Sequence, residues 1–436
     1  MRKPLLYLAL LGSGTIQTHA GGSSPQVEVP AEPSTATGLL VGKTYIGDTT
    51  YDKIWSLATL YKDENNPILQ EFSLQGRTHF QWAEVNESGT HYTFDDMNKG
   101  ANDERFLGDA LEVRRARFGF KSKWFNQYKL EGQFDLDPDF SYQTGPDIIH
   151  GFAKQIYDLY LTYAPSDAFN ASIGKTKTRF SKEQEISSKE ILTFERSLLA
   201  NALFPGELTG IWVSGKGIAE HWLYEAGIFS NERTSGFTSL ASDNGEILLA
   251  KIGYDYSSAV GMDSAIVGLH LMHNTDPGDA SGNGNGYTSS RTSPRFSNSI
   301  SLNNDLIQGR FGLTTDVLWG DGDVGQSDVF GISVIPSYFI AEGLQVVGRV
   351  QYASSDRANG LGLPSRYEAV IPGDDRGDSY LSGYLGLNYY LYGHKLKLMT
   401  GIEYSSMDGS GTVKGAKGGD GDYDGYTVFA GLRMFF

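Results

Sequence analysis

From Leu69 onward the chain alternates. Phe72, Leu74, Thr78, Phe80 and Trp82 share one parity, and Glu71, Ser73, Gln75, Arg77, His79 and Gln81 share the other. A strand sends successive side chains to opposite faces, so this stretch has an apolar face and a polar one. The stretch 111–121, LEVRRARFGFK, sharpens the arrangement. Ala116, Phe118 and Phe120 fall on one side; Val113, Arg115, Arg117, Gly119 and Lys121 fall on the other. Each two-residue step is about 7 Å, which makes the two arginines and the lysine a ladder. A soluble sheet seldom has one face so greasy and the other so basic. A sheet closed into a membrane barrel needs both, hydrocarbon outside and water inside.

The alternation continues to the final residue. Tyr128, Leu130, Phe134 and Leu136 oppose Lys129, Glu131, Gln133 and Asp135. Tyr157, Leu159, Leu161 and Tyr163 form the next apolar face, followed by Phe169, Ala171 and Ile173. Trp222, Tyr224, Ala226 and Ile228 are outward in a later strand, and Ile307 groups with Phe311, Leu313, Val317 and Trp319. The last face is Tyr426, Val428, Ala430, Leu432, Met434 and Phe436. The pattern predicts about sixteen strands of roughly ten residues, joined by short turns on one side and long polar loops on the other. The fold class expected is all-β, a transmembrane antiparallel up-and-down barrel over 69–436. Aromatics at strand ends, among them Trp82, Tyr128, Tyr163, Trp222, Trp319, Tyr338, Tyr352 and Tyr426, suit the girdles at the two membrane interfaces.

One segment breaks the pattern. Residues 175–208, KTKTRFSKEQEISSKEILTFERSLLANALFPGEL, do not alternate. They are too long for a hairpin loop and too polar for lipid, and irregular backbone at membrane depth must line water or be buried in protein. A constriction loop folded into the lumen is the simplest reading, and a solvated external loop is the other.

Composition agrees with a barrel. There are 54 Gly, 25 Tyr and 23 Phe in 436 residues. Mean hydropathy is only −0.31. No apolar run past the N-terminus approaches the roughly 18 residues of a membrane helix. Cysteine is absent, which excludes a disulfide framework and thiolate metal sites. Residues 1–20 read as a secretory signal: Arg2 and Lys3, an apolar core from Leu5 to Leu11, and Thr18-His19-Ala20 before the cleavage point. Residues 21–68 read as a periplasmic linker, with a short helix over 51–61 that places Ile54, Trp55, Ala58 and Tyr61 on one side. The net charge of −16 argues against nucleic acid as a partner. The terminal Phe436 on an alternating strand resembles the address that the barrel-assembly machinery reads in bacterial outer-membrane proteins.

Arg114-Arg115-Ala116-Arg117-Phe118-Gly119-Phe120-Lys121 resembles the RRARFGFKG-type strand of the phosphate-selective porin O/P family. Phe180-Ser181-Lys182-Glu183, Ser187-Ser188 and Phe194-Glu195-Arg196-Ser197 resemble that family's second segment at similar spacing. The resemblance implies a homotrimeric sixteen-stranded porin in the outer membrane, passing phosphate-like anions by diffusion and needing no cofactor. It assigns Arg115, Arg117 and Lys121 to a basic ladder, and Lys175, Lys177, Arg179 and Arg196 to the constriction. Guanidinium pairs oxyanions in bidentate fashion and stays charged. Glu71, Glu131, Asp135 and Asp158 share the expected lumen, so each base serves equally as an anion site or as the partner of a carboxylate.

Other chemistry is thin. His79, His91, His150, His221, His270, His273 and His394 are scattered, and His270 and His273 face opposite sides of a strand. No Gly-x-Ser-x-Gly stretch appears, and no enzyme activity is expected. Asp420, Asp422 and Asp424 match the opening of a Ca²⁺ loop, but Gly431 stands where its bidentate Glu belongs. Two functional classes are open: a porin for anions or small polar solutes, non-selective or weakly cation-preferring in its alternative form, and a surface adhesin or structural anchor working through the loops 274–294 and 405–423.

Overall fold

The computed structural model describes residues 49–87, 110–136, 153–240, 245–277, 296–323, 326–357, 360–363, 376–409 and 423–436. They belong to one unit, 36–436. The expected signal at 1–20, the linker as far as residue 48, the loop from residue 278, and Asp420 and Asp422 lie outside them.

Alternation has become sheet. The first strands are β1 (Thr59–Lys62), β2 (Leu69–Glu87), β3 (Ala110–Trp124), β4 (Tyr128–Leu136), β5 (Ala153–Ser166), β6 (Phe169–Lys177) and β7 (Glu207–Ile218). Then come β8 (Trp222–Ser230), β9 (Glu246–Asp255), β10 (Ser264–Asn274), β11 (Phe296–Gln308), β12 (Phe311–Gly322), β13 (Val329–Ala341) and β14 (Leu344–Ser355). The chain closes with β15 (Leu361–Gly362), β16 (Arg376–Gly377), β17 (Ser379–Tyr392), β18 (Leu396–Asp408) and β19 (Tyr423–Phe435). Four short helices accompany them: α1 (Thr50–Ser56), α2 (Lys182–Glu185), α3 (Leu198–Ala202) and α4 (Ser257–Val260). Sixteen strands, β2 to β14 with β17 to β19, form a closed antiparallel barrel in which β19 returns to β2. Closure removes the exposed edges that an open sheet of this size would carry.

The two faces of the ring divide as the pattern predicts. On β17, Leu381 and Leu385 are 51% and 58% exposed, while Tyr380, Ser382 and Tyr384 are at most 4% exposed. Exposed leucines recur around the ring, among them Leu161, Leu248, Leu302 and Leu398, and an apolar belt of this kind marks a membrane-facing surface, so lipid is its solvent. Exposed aromatics mark both rims. Tyr128 lies against Tyr163 at 5.3 Å and Trp222 against Tyr254 at 4.8 Å near the short turns. Two of those turns are tight: Phe125 and Asn126 take φ of 47° and 62°, and Ala219 and Glu220 take 47° and 71°. Positive φ at both central residues gives the twist that matches a hairpin's strands. Among the described residues no helix is long and apolar enough to cross a membrane.

Three details differ from the simple alternation. Ile307 belongs to the end of β11, opposite Gly312, not to the face of β12. Register slips between Arg115 and Val113 leave Arg114 unpaired as a β-bulge, so Val113 sits opposite the exposed Phe80 on the lipid side. A second bulge leaves Tyr157 unpaired, and its side chain is buried and touches Arg117 instead of facing lipid. A bulge admits one extra residue and flips the parity of the residues beyond it.

The barrel's buried side is also less polar than alternation suggests. Phe180, Leu198, Leu199, Leu203, Leu208, Ile247, Leu249, Met272, Phe296, Leu318, Val329, Leu361 and Leu363 form one apolar cluster. It joins wall residues to the segment 178–206 and to the connection after β14.

At the short-turn end the first and last strands meet. Phe436 and Gly76 exchange two backbone hydrogen bonds of 3.0 Å. β1 pairs with the start of β2, Lys62 opposite Glu71, in the lane below β19. Helix α1 precedes it. Thr49 caps the helix, its hydroxyl accepting from the Asp52 amide at 3.1 Å while Asp52 Oδ2 accepts from the Thr49 amide at 3.3 Å. The Tyr392 hydroxyl donates to Asp52 Oδ1 at 2.6 Å, and the Trp55 indole donates to the Phe435 carbonyl at 2.7 Å.

Candidate functional site

The arginines of β3 set the site. Arg115 and Arg117 lie in register opposite His79 and Arg77 of β2. Like charges directly across a ladder repel, so they need partners elsewhere. Arg117 Nε donates to Asp135 of β4, and its guanidinium carbon lies 3.3 Å from the centroid of the Tyr157 ring. The bulge turns Arg114 to the same side as Arg115. Arg114 then grips Glu195 with two donors, Nε at 2.6 Å and Nη2 at 3.0 Å, and Arg115 stands 3.7 Å from the same carboxylate. Arg115 Nη1 and Arg117 Nη1 are buried without a hydrogen-bond partner among the described residues.

Glu195 comes from the irregular segment between β6 and β7. That segment has no ladder of its own, so its carbonyls take donors from the barrel wall. Arg433 of β19 donates to the carbonyls of Ile191, Thr193 and Phe194 at 3.2, 3.2 and 2.8 Å. Lys397 of β18 donates to Ile191 O at 2.9 Å, Asn388 of β17 to Leu192 O at 3.0 Å, and Arg349 of β14 to Glu195 O at 2.6 Å. Arg77 reaches the Ser188 hydroxyl. The Phe194 ring stacks on Phe429 with centroids 4.9 Å apart.

The first half of the segment is held by charge. Lys182 bonds through its amide to Asp316 Oδ2 at 2.7 Å and through its ammonium to Asp305 at 3.5 Å. Glu185 lies 3.7 Å from both Lys182 and Lys251, and Lys251 is 3.2 Å from Glu225. These partners sit on β8, β9, β11 and β12, across the ring from the arginines of β3. Ser181 caps α2, accepting from the Gln184 amide at 3.3 Å.

Between this segment and the wall lies a cavity of about 410 Å³. Its described lining holds seven bases, Arg114, Arg115, Arg117, Lys177, Arg196, Arg233 and Arg349, and three carboxylates, Glu195, Glu207 and Glu403. Four residues expected from the sequence are therefore together: Arg115, Arg117, Lys177 and Arg196. Lys177 Nζ donates to Gln184 O at 2.5 Å, and Arg196 donates to Glu183 O at 2.6 Å and Ile186 O at 2.8 Å. Lys121, Lys175 and Arg179 are not in that lining. Lys121 faces Glu131 at 3.5 Å and Arg179 faces Glu225 at 3.8 Å. Lys175 is buried under the connection after β8, donating to Gly236 O at 2.8 Å and to Thr234 O. Arg114, Arg233 and Arg349 were missed. A bulge hid the first, a loop carried the second, and Arg349 stands alone among apolar residues in VVGRVQ.

Among the described residues there is no group of three or more His, Asp or Glu that could hold an ion. Asp424 accepts from the Tyr404 hydroxyl at 2.7 Å. His270 is buried, and His273 is exposed beside Asn298.

Known proteins resemble this chain in sequence pattern and in fold. The profile described as phosphate-selective porin O and P matches residues 86–327, more than half of the chain. No curated protein matches in sequence. Solved structures agree in fold. An anion-selective porin from Comamonas acidovorans aligns over 84% of this chain and 99% of its own, at 14% identity and a TM-score of 0.52. OmpF of Salmonella typhi, in a complex with daunomycin, aligns over 87% and 100%, at 13% identity and a TM-score of 0.51. OmpT of Vibrio cholerae aligns over 87% and 99%, at 13% identity and a TM-score of 0.51. With the ring closed, its leucine belt outside and its arginines within, the chain belongs to the phosphate-selective porin O and P family, a channel of the bacterial outer membrane.

Proposed function

We propose that the channel passes small anions by passive diffusion, with residues 178–206 as its constriction loop and the cavity beside them as its narrowest path. One observation carries this reading: seven bases against three carboxylates around the cavity, in a chain whose net charge is −16. A unit charge about 8 Å from an ion, at an effective dielectric near ~40, changes its energy by about 1 kcal/mol. An excess of several positive charges is thus enough for tenfold discrimination. Arg115 and Arg117, each with an unpartnered donor, are the first residues we assign to the anion path. Lys177 and Arg196 follow, with Arg114, Arg233 and Arg349. Lys121 and Arg179 are outlying steps of the same path, because flow needs several weak sites in series. Family membership also favours a homotrimer inserted by the barrel-assembly machinery through Phe436.

A second reading has its own support. Arg114, Arg117, Lys121 and Arg179 all have carboxylate partners. A lumen so neutralised would be a general porin without strong preference. Current through the purified protein in a planar bilayer decides between them. The anion reading requires a reversal potential near that of chloride in a KCl gradient, and a potential near that of potassium overturns it. A bilayer that stays silent overturns the channel role of this protein and leaves an anchor or adhesin.

A further inference from the structure

The arginines occupy only part of the cavity wall. Beside them, among polar side chains such as Asn201 and Gln351, lies hydrocarbon: Leu198 and Leu199 of α3, Phe296, Val329, Leu361 and Leu363. All six belong to the one contiguous apolar cluster. Phe296 and Val329 open β11 and β13 at the long-loop end, whereas Arg115 and Arg117 lie deeper along β3. A solute coming from the long-loop side therefore meets a hydrocarbon patch beside, and just before, the guanidinium groups.

A path for bare inorganic ions gains nothing from such a patch. An ion that keeps its water is repelled by apolar walls, and a narrow apolar ring tends to dewet. The combination suits a solute that is itself divided. Cavities of about 300–1,000 Å³ that are mostly apolar with a few convergent polar groups are the usual form of an organic small-molecule site. Here the cavity is about 410 Å³, and its lining mixes apolar side chains with charged and amide groups. The convergent groups are guanidinium donors, of which Arg115 Nη1, Arg117 Nη1 and Arg349 Nε are buried without a hydrogen-bond partner among the described residues. Guanidinium donors select an oxyanion head, and the leucines receive an apolar body.

We propose that the preferred solutes are organic anions that join a carboxylate or phosphate head to a compact apolar body, rather than inorganic phosphate. This rests on the anion-path reading above. The apolar body packs at the edge of the cluster, against Leu199 and Phe296, while the head passes Arg115 and Arg117.

Ion current through the purified full chain tests it. Benzoate and phenyl phosphate are compared with acetate and inorganic phosphate as blockers of chloride current. Each phenyl compound is expected to interrupt the current at a concentration at least ten-fold below its partner without the ring. Leu199→Ser is expected to shrink that ratio to two-fold or less, and Phe296→Ser serves if the first variant does not insert. A chloride-preferring channel in which the ring confers no advantage with either head overturns this proposal alone. A potassium-preferring channel overturns it together with the reading on which it rests.

Discussion

The guanidinium carbon of Arg117 lies over the ring of Tyr157, 3.3 Å from its centroid, while Asp135 accepts from its Nε. The contact exists because a bulge in β5 turns Tyr157 off the lipid face. A desolvated cation–aromatic pair contributes about 2 kcal/mol. Tyr157→Phe keeps the ring and is expected to leave urea-induced unfolding from vesicles unchanged. Tyr157→Ala is expected to destabilise the barrel by about 2 kcal/mol and to lower the chloride preference as Arg117 loses its seat. Equal effects of the two variants would show that the ring is not what positions the arginine.

Glu195 neutralises the top of the ladder by accepting two hydrogen bonds from Arg114 and standing near Arg115. Glu195→Gln removes one of the three cavity carboxylates. The chloride-to-potassium permeability ratio is expected to rise about three- to ten-fold, the effect of one unit charge at this range. Arg115→Ala should move the ratio the other way. Reversal potentials in a KCl gradient measure both.

Arg433 supports the constriction loop through three carbonyls. Arg433→Met keeps the length of the side chain and removes every donor, leaving buried acceptors that each cost about 1–3 kcal/mol. Single-channel records are expected to show higher and noisier conductance. Trypsin should cut near Lys182 or Lys189 in the variant while sparing the parent. A quiet trace of unchanged amplitude would mean that the remaining wall bonds suffice.

Gly76 leaves room for the Phe436 ring. A Cβ at residue 76 would lie 2.3 Å from the nearest ring atom, so any larger side chain must push the terminal aromatic away. Gly76→Leu is expected to loosen the junction of β19 with β2. The folded band in heat-modifiability gels should then disappear at a lower temperature, by several degrees.

The Asp52 carboxyl is held below the usual carboxylate range, first by the Thr49 hydroxyl and then by the Tyr392 hydroxyl. A depressed folded value means that the stabilisation is present above the unfolded value and lost as pH falls through the folded one. The cap of α1 should therefore hold at neutral pH and release below about pH 4. Hydrogen exchange over 49–62, corrected for intrinsic rates, should accelerate in that window. Asp52→Asn should exchange faster already at neutral pH and show no further step in acid.

Much of the barrel was legible because strand period and burial coincide. Leu381, Leu385, Tyr426 and Val428 all sit on the face that parity assigns them. Legibility failed where one residue shifts the count. Nothing in RRARFGF marks Arg114 as a bulge rather than a lipid-facing outlier, since the cause is its pairing with β2. Ile247 and Leu249 were hidden differently: the run Ile247-Leu248-Leu249-Ala250 is apolar on both parities, and only the segment packed within explains why the inner positions are not polar. Lys175 shows the limit for single charges. Its position in a basic stretch pointed to the path, yet the connection after β8 covers it.

The meeting of β19 with β2 sets the order in which the wall can be completed. Gly425 finds Glu87, and Phe435 finds Arg77, only after every intervening strand is in place. Until then the sheet carries two bare edges, each able to pair with another chain. Contacts so distant in sequence also form slowly. Assembly of this wall is thus a single late event, and whatever shields those two edges beforehand decides whether a channel or an aggregate results.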